Sequence, residues 1–299
     1  MLSLHTNAAS LSAQNSLSST QNKLSTTMTR LSTGFRINSA SDDAAGLQIA
    51  TRLKSQTSGM AVAMRNTQNS VSMLQTAEGA LNETGNILVR MKDLATQAAD
   101  GSSSKDDRTA MQAEYDSLAD ELGNIMKNTK FGGTALLHKE NGKLAASVTF
   151  QIGADKAETM AGDFTTELTA VHDKIGATSA RFSGGTAAGA TTVGTDISGT
   201  TDALGVSNAN TTIDELSQAI DSVSTLRSKI GATSNRLDHV YNNLSNISTN
   251  TQAAAGRIMD VDFATESAKM TSNQMLMQAG TAMLKQTNQM SSMVMSLLQ

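Results

Sequence analysis

The sequence predicts a mainly α protein, a long coiled coil or helix bundle with antiparallel terminal arms, a small β-hairpin region and a short Gly/Thr-rich outer appendage. Apolar residues recur every seven positions at both chain ends, the pattern of helices that wrap around other helices. The 299 residues include no proline, which removes the strongest helix breaker. They also include no tryptophan and few other aromatic residues, so aliphatic side chains and methionine must fill the core.

A first helix over residues 1 to about 35 is predicted by three leucines at seven-residue spacing: Leu17, Leu24 and Leu31. No acidic residue precedes Asp42, so this segment has three uncompensated basic residues: Lys23, Arg30 and Arg36. They could contact nucleic acid. A polar helix face among serine, threonine and asparagine is the better interpretation, because the net charge of the whole chain is only −4.

A second helix is predicted from Ser41, which is a good N-cap, with Asp42 and Asp43 in the first turn, where carboxylates favour the positive end of a helix. The acidic pair could instead form a metal or acid/base site, but no histidine lies nearby. Asp100-Gly101 supplies the stop. At 1.5 Å per residue this helix would be roughly 85 Å long.

The following segments change in character. Ser104 is predicted to cap a third helix that ends before Phe131. Residues 148–152 alternate between apolar and polar, which predicts a half-buried strand of a hairpin, with Asn141-Gly142 as the turn signal. Residues 176–210 are mostly glycine, threonine, serine and alanine, so we expect an exposed loop or minimal appendage.

Helical pattern returns near Thr212 and leads almost without interruption into a C-terminal arm from Arg257. This arm has two apolar rows of seven-residue spacing. The first consists of Phe263, Met270, Met277 and Leu284; the second consists of Leu276, Met283, Met290 and Leu297. Together with the N-terminal leucines, these rows predict an assembly seam, because chain ends are poorly ordered unless partners hold them.

The chain is therefore divided into five segments. An N-terminal arm (1–41) precedes core helices with a β-hairpin (42–175), the Gly/Thr-rich centre (176–210), a returning core helix (211–255) and a C-terminal arm (256–299). The order is a mirror image about the centre. Folded back on itself, the chain would pair its two arms and leave the centre at the opposite end.

The sequence shows no catalytic, cofactor-binding or metal-binding constellation. Cysteine is absent, and the histidines (5, 138, 172 and 239) are scattered without metal-ligand spacing. Asp260 and Asp262 form a carboxylate pair at a helix junction, where capping is the better interpretation than catalysis. The methionine-rich tail could bind a soft metal, but methionine at helical spacing is more often a packing surface. We therefore expect no enzyme.

Neither membrane insertion nor nucleic-acid binding is expected. The sequence contains no run of 18 or more apolar residues, which a transmembrane helix would require. The N-terminus also lacks the charged-then-apolar layout of a signal peptide. We therefore expect a cytosolic protein or one exported by a route without a cleaved signal.

Three stretches carry a family resemblance. Residues 30–52 read RLSTGFRINSASDDAAGLQIATR, which resembles the N-terminal signature of bacterial flagellins. Residues 256–266 read GRIMDVDFATE and resemble the matching C-terminal signature, and residues 278–289 (QAGTAMLKQTNQ) also fit. The resemblance covers about residues 1–137 and 215–299, in the family order. The proline that commonly follows in family tails is replaced by Ser291-Ser292-Met293.

The resemblance implies a self-polymerising structural subunit of the extracellular flagellar filament, which serves swimming or swarming. The two arms would pair in an inner tube, the core segments would form an outer tube, and the centre would face solvent. Export would occur unfolded through the flagellar type III system, without a cleaved signal. The arms would order only on assembly, with neighbouring subunits supplying the burial that offsets the ordering cost.

The resemblance also implies partners: other copies of the chain, the export chaperone through the C-terminal arm, and filament cap and hook-associated proteins. A host Toll-like receptor would meet Arg90, Leu94 and Glu114, with Val89 in place of a glutamine common in strongly sensed members. Alternatively, Leu94 packs in the bundle while the two charges are merely solvated. Three other functions compete with a filament subunit: a hook–filament junction protein, a filament-borne metallopeptidase and a secreted coiled-coil effector. The metallopeptidase would need a zinc motif, which the sequence lacks.

Overall fold

The computed structural model describes residues 8–183, 186–187 and 194–297. The helices of this described part are α1 (Ala8–Thr33), α2 (Ala44–Ala98), α3 (Lys105–Asn128), α4 (Thr165–Thr178), α5 (Asp202–Met259) and α6 (Phe263–Leu297). The strands form three antiparallel hairpins: β1 (Lys130–Phe131) with β2 (Thr134–Ala135), β3 (Val148–Gln151) with β4 (Thr159–Gly162), and β5 (Phe182–Ser183) with β6 (Thr186–Ala187). The predicted mainly α fold class is confirmed.

The chain divides into two compact units. The arm unit comprises Met1–Thr57 and Ser248–Gln299, and the core unit comprises Ser58–Ile247. The arm unit therefore contains α1 and α6, and the core unit contains α3, α4 and the hairpins. The division into two units reflects only how compactly the chain packs. The assignment of the five segments to an inner tube, an outer tube and an exposed centre therefore stays a prediction.

In the arm unit, α1 and α6 run antiparallel. The hydroxyl of Ser10, near the start of α1, donates to Asn288 Oδ1 near the end of α6 at 3.3 Å. At the other end of the pair, Arg30 Nη1 lies 3.8 Å from Glu266 Oε1. The predicted antiparallel pairing of the two arms is thus present within one chain.

A short backbone bridge joins the segments that leave α1 and enter α6. Phe35 pairs with Asp260, the N–H of Arg36 donates to the Met259 carbonyl at 2.6 Å, and the N–H of Val261 donates to the Gly34 carbonyl at 3.0 Å. Gly34 has a φ of +76°, in the left-handed region that favours glycine, and this turns the chain out of α1. The break predicted after residue 33 is therefore a defined turn.

The predicted start of the second helix at Ser41 is wrong. Helix α2 begins at Ala44, and its free N–H groups are capped by Asp43, whose Oδ1 accepts from the N–H of Gly46 at 2.8 Å. Ser41 instead contacts the hydroxyl of Ser39 at 2.7 Å. By contrast, Ser104 caps α3 as predicted, in a reciprocal capping box with Asp107.

The core unit has a continuous apolar interior built from α2, α3, α4 and α5. Leucines at seven-residue spacing in α2 are fully buried, and so are their counterparts on other helices: Leu74, Leu81, Leu88, Leu122, Leu216 and Leu226. These residues explain the predicted heptad rows. The rows are the faces by which long helices of one chain pack against each other.

The β-hairpin was predicted correctly in its strand but not in its turn. Val148 pairs with Gly162 and Gln151 pairs with Thr159, so residues 152–158 connect β3 and β4. Gly142 instead closes a turn by donating its N–H to the His138 carbonyl at 3.0 Å, before a 3₁₀ turn at Lys143–Ala145. Asn141-Gly142 marks a turn, but a different one.

The interpretation of residues 176–210 as an exposed loop is wrong for much of the described part. Helix α5 begins at Asp202, ten residues before the predicted Thr212. Residues of this segment that are buried include Thr178, Ser179, Phe182, Ile197, Ser198 and Ala209. Helix α4, which the sequence reading missed, packs beside them with Leu168, Val171, His172 and Ile175 buried.

Polar side chains fasten this segment to α3. The N–H of Ile197 donates to Gln112 Oε1 at 2.8 Å, and the N–H of Gly194 donates to Asp116 Oδ2 at 2.9 Å. Asp196 also accepts from Gln112 at 3.2 Å, and burial raises the pKa of its carboxyl. Side-chain hydrogen bonds thus hold this segment against α3, although it has few apolar residues to bury.

Candidate assembly interface

The N-terminal leucine row turns inward in the arm unit. Leu24 is buried, and Leu17 and Leu31 are half-buried. Leu17 Cδ1 would lie 3.3 Å from a Cβ placed on Gly280, so glycine there permits the close approach of α1 and α6. These three leucines pack within the chain.

Helix α6 carries its two apolar rows in different environments. In the first row, Met270, Met277 and Leu284 are half-buried. In the second row, Leu276 is 56% exposed and Met283 is 64% exposed. The predicted seam thus separates into a face that α1 covers and a face left bare.

Three members of the predicted seam stand apart. Phe263 begins α6 and is 56% exposed, so it does not share the burial of the first row that it was assigned to. Met290 and Leu297 continue the second row along the backbone of α6, but their side chains lie outside the described part of the structure.

The sequence reading missed other large apolar side chains that the arm unit exposes. These are Leu11, Met28, Phe35 and Ile49. Leu11 follows Leu4 by seven residues, a spacing from which it could have been found. Phe35 follows Met28 by seven residues and Ile49 follows Phe35 by fourteen, so the same spacing could have found them.

A buried carboxylate lies between the arm helices. Glu266 is 4% exposed, lies 3.8 Å from Arg30 and accepts from Lys269 at 3.1 Å. Arg30 also lies 3.6 Å from Asp42. A buried charge is tolerated only when it is paired, so this cluster favours one alignment of α1 against α6. Arg30 is therefore engaged inside the chain, which favours the polar-face interpretation of the basic arm residues.

Two acidic residues near the helix starts accept local hydrogen bonds: Asp42 closes the turn before α2, and Asp262 caps the start of α6. Asp42 Oδ2 accepts from the N–H groups of Ser39 and Asn38 at 2.9 and 3.1 Å, and these bonds, with the Ser39 bond contributing most, hold the pKa of Asp42 below its usual range. Asp262 accepts the hydroxyl of Thr265 at 2.7 Å and the N–H of Ala264 at 3.0 Å, which lowers its pKa in the same way. Across the described residues, no three histidine, aspartate or glutamate side chains gather in a way that could hold a metal ion.

Threonine hydroxyls along α1 bond to the helix itself. Five of them donate to the carbonyl one turn earlier at 2.8–3.0 Å: Thr20, Thr26, Thr27, Thr29 and Thr33. Thr27 is buried on the face with Leu24. The hydroxyls therefore need no partner from α6.

The predicted receptor contacts lie in the core unit and are unequally accessible. Arg90 donates to Glu114 Oε1 through Nε and Nη2, at 3.0 and 2.6 Å, and both side chains are about half exposed. Leu94 is 3% exposed and belongs to the apolar core. The packing alternative thus describes Leu94, while the two charges and Val89, which is 50% exposed, form the surface beside it.

Both ends of the chain match family models in the expected order. Residues 4–142 match the bacterial flagellin N-terminal helical region, and residues 213–298 match the bacterial flagellin C-terminal helical region. The chain belongs to the bacterial flagellin family. The matched ranges contain α1, α2, α3 and α6, and most of α5, so the family assignment rests on the arms and the long core helices.

Full-length flagellins are similar throughout. Flagellin A of Vibrio anguillarum is 35% identical over 100% of both chains, and flagellin C of Vibrio cholerae is 34% identical over 99% of both. A solved structure described as that of a flagellar hook-associated protein from Vibrio parahaemolyticus shares the fold. Its TM-score is 0.53 at 15% identity, covering 73% of this chain and 100% of that one.

Family membership decides the broad function. The chain is a structural subunit of the bacterial flagellar filament, outside the cell, and it is not an enzyme. The flagellin family also implies a relationship to hook-associated proteins. Among the described residues, no helix combines the length and apolar character needed to cross a bilayer.

Proposed function

We propose that this flagellin polymerises chiefly through the bare apolar row of α6, in which Leu276 and Met283 pack against the arms of neighbouring copies. The observation that carries the proposal is that α6 has two apolar rows and α1 covers only one of them. Burying one such side chain contributes about 1.5–3 kcal/mol. A few of them per subunit, repeated around a filament, suffice to hold it.

The assignment of segments to layers follows from the same contrast. In this proposal residues 1–41 and 256–299 line the inner tube, residues 42–175 and 211–255 form the outer tube, and residues 176–210 face outward. What supports it is that the arm unit exposes Leu11, Met28 and Leu276. Apolar surface exposed in this amount on one unit is typical of an interaction site.

Seeded elongation tests the role of the α6 row. Purified subunits are mixed with short filament fragments and growth is followed by electron microscopy and light scattering. The double variant L276S/M283S should add to seeds at least about tenfold more slowly than wild type, because each substitution removes over 1.4 kcal/mol of burial. The matched control is Gln278→Ser at an exposed polar position of the same helix, which should elongate normally. Normal growth of the double variant would contradict the proposal.

Export through the flagellar type III system, without a cleaved signal, is the second part of the proposal. A chain that crosses a channel unfolded must refold promptly outside. With no proline and no cysteine, this chain has neither slow prolyl isomerisation nor disulfide formation to delay refolding. Mass spectrometry of filament subunits should give an intact N-terminus, and loss of the flagellar export apparatus should retain the chain in the cell.

Before export, we propose that the C-terminal arm is held by the flagellar export chaperone. The bare row of Leu276 and Met283 would otherwise be open to premature association inside the cell. Co-purification of the chaperone with wild type but not with a chain lacking α6 is the expected outcome. Filament cap and hook-associated proteins are proposed to contact the same arms at the ends of the filament.

Recognition by a host Toll-like receptor is proposed through the Arg90–Glu114 pair. Both side chains are accessible, whereas Leu94 supports the surface from beneath. Replacing the pair with alanine should reduce receptor signalling in reporter cells while leaving the thermal unfolding of the core unit nearly unchanged, because an exposed ion pair contributes only about 0.2–1 kcal/mol. Unchanged signalling would contradict this part.

A further inference from the structure

The 17 methionines of the chain include two groups that differ sharply in exposure. In the core unit, five are at most 6% exposed: Met60, Met73, Met91, Met126 and Met160. In the arm unit, Met28 is 55% exposed, Met275 is 60% exposed and Met283 is 64% exposed. Methionine thioethers are thus open to solvent in the unit that assembles and shielded in the core.

The two exposed methionines of α6 lie on one side of the helix. Met275 and Met283 are eight residues apart, which places them about 80° apart around the helix axis. Met283 belongs to the bare row with Leu276, and Met275 precedes Leu276 in sequence. Met270 and Met277 of the covered row are partly buried. A reagent that attacks thioethers therefore reaches Met275 and Met283, like Met28 of α1, more readily than the core methionines.

We propose that Met275 and Met283 are oxidation sites that control assembly, and that subunits carrying sulfoxides at both positions no longer join the filament. This inference rests on the proposed polymerisation through the α6 row. The oxidant class is a peroxide, with hydrogen peroxide as the simplest member. Neighbouring subunits that cover the row also shield it, so the sites react before assembly and are protected afterwards.

The chemistry is a two-electron oxygen transfer. The sulfur lone pair attacks one peroxide oxygen, the O–O bond breaks, a sulfur–oxygen bond forms, and the other oxygen leaves as water after proton transfer. The product is a polar and chiral sulfoxide in place of a flexible apolar thioether. Burying that oxygen against a neighbour without a hydrogen-bond donor carries a desolvation cost that the thioether does not.

Threonine hydroxyls near the two methionines are already engaged within α6. The hydroxyl of Thr287, four residues after Met283, already donates to the Met283 carbonyl at 2.9 Å, and that of Thr271 donates to the Ser267 carbonyl at 3.0 Å. These threonines therefore offer no free donor to a sulfoxide beside them. Oxidation of Met283 in the row and of Met275 beside it should slow addition by about tenfold or more.

The test combines site-resolved mass spectrometry with seeded elongation. Monomeric subunits are treated with hydrogen peroxide until peptide mapping shows sulfoxide at Met275 and Met283, with the core methionines still reduced. Treated subunits should elongate seeds at least about tenfold more slowly than untreated ones. Methionine sulfoxide reductase with a thiol reductant should restore growth. Preformed filaments given the same treatment should show little sulfoxide at either position.

Two variants keep the result interpretable. M275L/M283L retains the apolar row without thioethers and should elongate equally before and after peroxide. M73L/M126L alters only buried core methionines and should lose elongation after peroxide as wild type does. Growth of wild-type subunits that carry both sulfoxides, or continued sensitivity of M275L/M283L, would overturn the inference. Failure of untreated wild type to elongate would instead overturn the proposed function on which it rests.

Discussion

Two helices of similar length, α1 in the arm unit and α3 in the core unit, differ in how much their own chain buries them. Helix α1 has 26 residues, and three are buried, of which two are polar: Ser10, Leu24 and Thr27. Helix α3 has 24 residues with seven buried, Tyr115 and Leu122 among them. Most helical stability comes from packing rather than intrinsic propensity. Helix α3 is therefore stabilised by the core of its own subunit, whereas α1 buries little surface within the chain.

The largest effect is expected from removing most of α6, the helix that pairs with α1. Deleting Met275–Gln299 takes away the bare row together with Met277 and Leu284, which lie against α1. We expect no polymerisation, while the helices of residues 42–130 remain folded because their burial lies mainly in the core unit. Electron microscopy after seeding and thermal melts by circular dichroism measure the two effects. Filaments like those of wild type would contradict the assignment.

Hydrogen exchange sharpens the comparison without a mutation. In monomeric subunits, amides of α1 should exchange at least about a hundredfold faster than those of α3, because local opening of a sparsely packed helix needs far less free energy than opening of a core helix. In filaments the difference should shrink as neighbours cover α1. Strong protection of residues 8–33 in the monomer would show that α6 alone stabilises the arm.

A buried arginine tests how firmly the core unit holds its own helix ends. Arg108 is 1% exposed and donates to the carbonyls of Ala98 and Asp100 at 2.8 and 3.0 Å and to Asp202 Oδ1 at 2.9 Å. It thereby caps the end of α2 and joins it to the start of α5. Arg108→Ala should lower the free energy of unfolding of the core unit by about 3 kcal/mol, because buried acceptors lose their donor.

The control for this substitution is a second arginine of the same unit. Arg90→Ala removes a half-exposed side chain whose partner Glu114 is also half exposed, so we expect a change below about 1 kcal/mol. Both are measured by chemical denaturation. Equal effects of the two substitutions would show that burial does not set the strength of these contacts.

The smallest expected effect is a loss of stability at acidic pH that depends on His172. His172 is buried, stacks on Phe182 with ring centroids 5.8 Å apart, and places Nε2 2.7 Å from the Leu137 carbonyl. Its Nδ1 has no hydrogen-bond partner among the described residues. Burial lowers the pKa of this imidazole despite the Leu137 bond, with Lys139 and His138 acting in the same direction and Asp173 opposing.

The sign follows from linkage. The unfolded chain binds the proton more readily, so the contribution of His172 is complete above the ordinary pKa of 6.5 and is lost as the pH falls through the lowered value. Wild type should therefore lose stability between about pH 7 and pH 5 relative to His172→Asn, which cannot titrate there. Burial raises the pKa of Asp196 and of Glu215, an effect of opposite sign that is common to both proteins. Parallel melting curves against pH would contradict the prediction.

Seven-residue spacing predicted the long helices, because a repeated apolar row defines one face of a helix, while the seam assigned from it remains a prediction. It could not say which of two rows an intramolecular partner covers. That depends on a contact between residues such as Leu17 and Gly280, which are far apart in sequence. The two signatures identified the family because they are specific runs of residues rather than a periodicity.

The segment around α4 shows why the sequence did not predict this helix or the burial of the residues that follow it. Leu168, Val171, His172 and Ile175 follow helical spacing, but Phe164 precedes the helix without a capping side chain, and the segment is rich in threonine. The burial of Ile197 depends on Gln112, 85 positions away, so composition alone suggested exposure. At the start of α2, three adjacent capping residues were available, and only the geometry shows that Asp43 is used.

The threonines of α1 give the arm a surface that behaves alike in water and in a packed interior. Because each of these hydroxyls already donates to its own helix, moving from solvent into contact with another molecule strands no donor. The threonine hydroxyls are, in effect, satisfied in advance. A subunit that joins the growing end therefore need not find new partners for them.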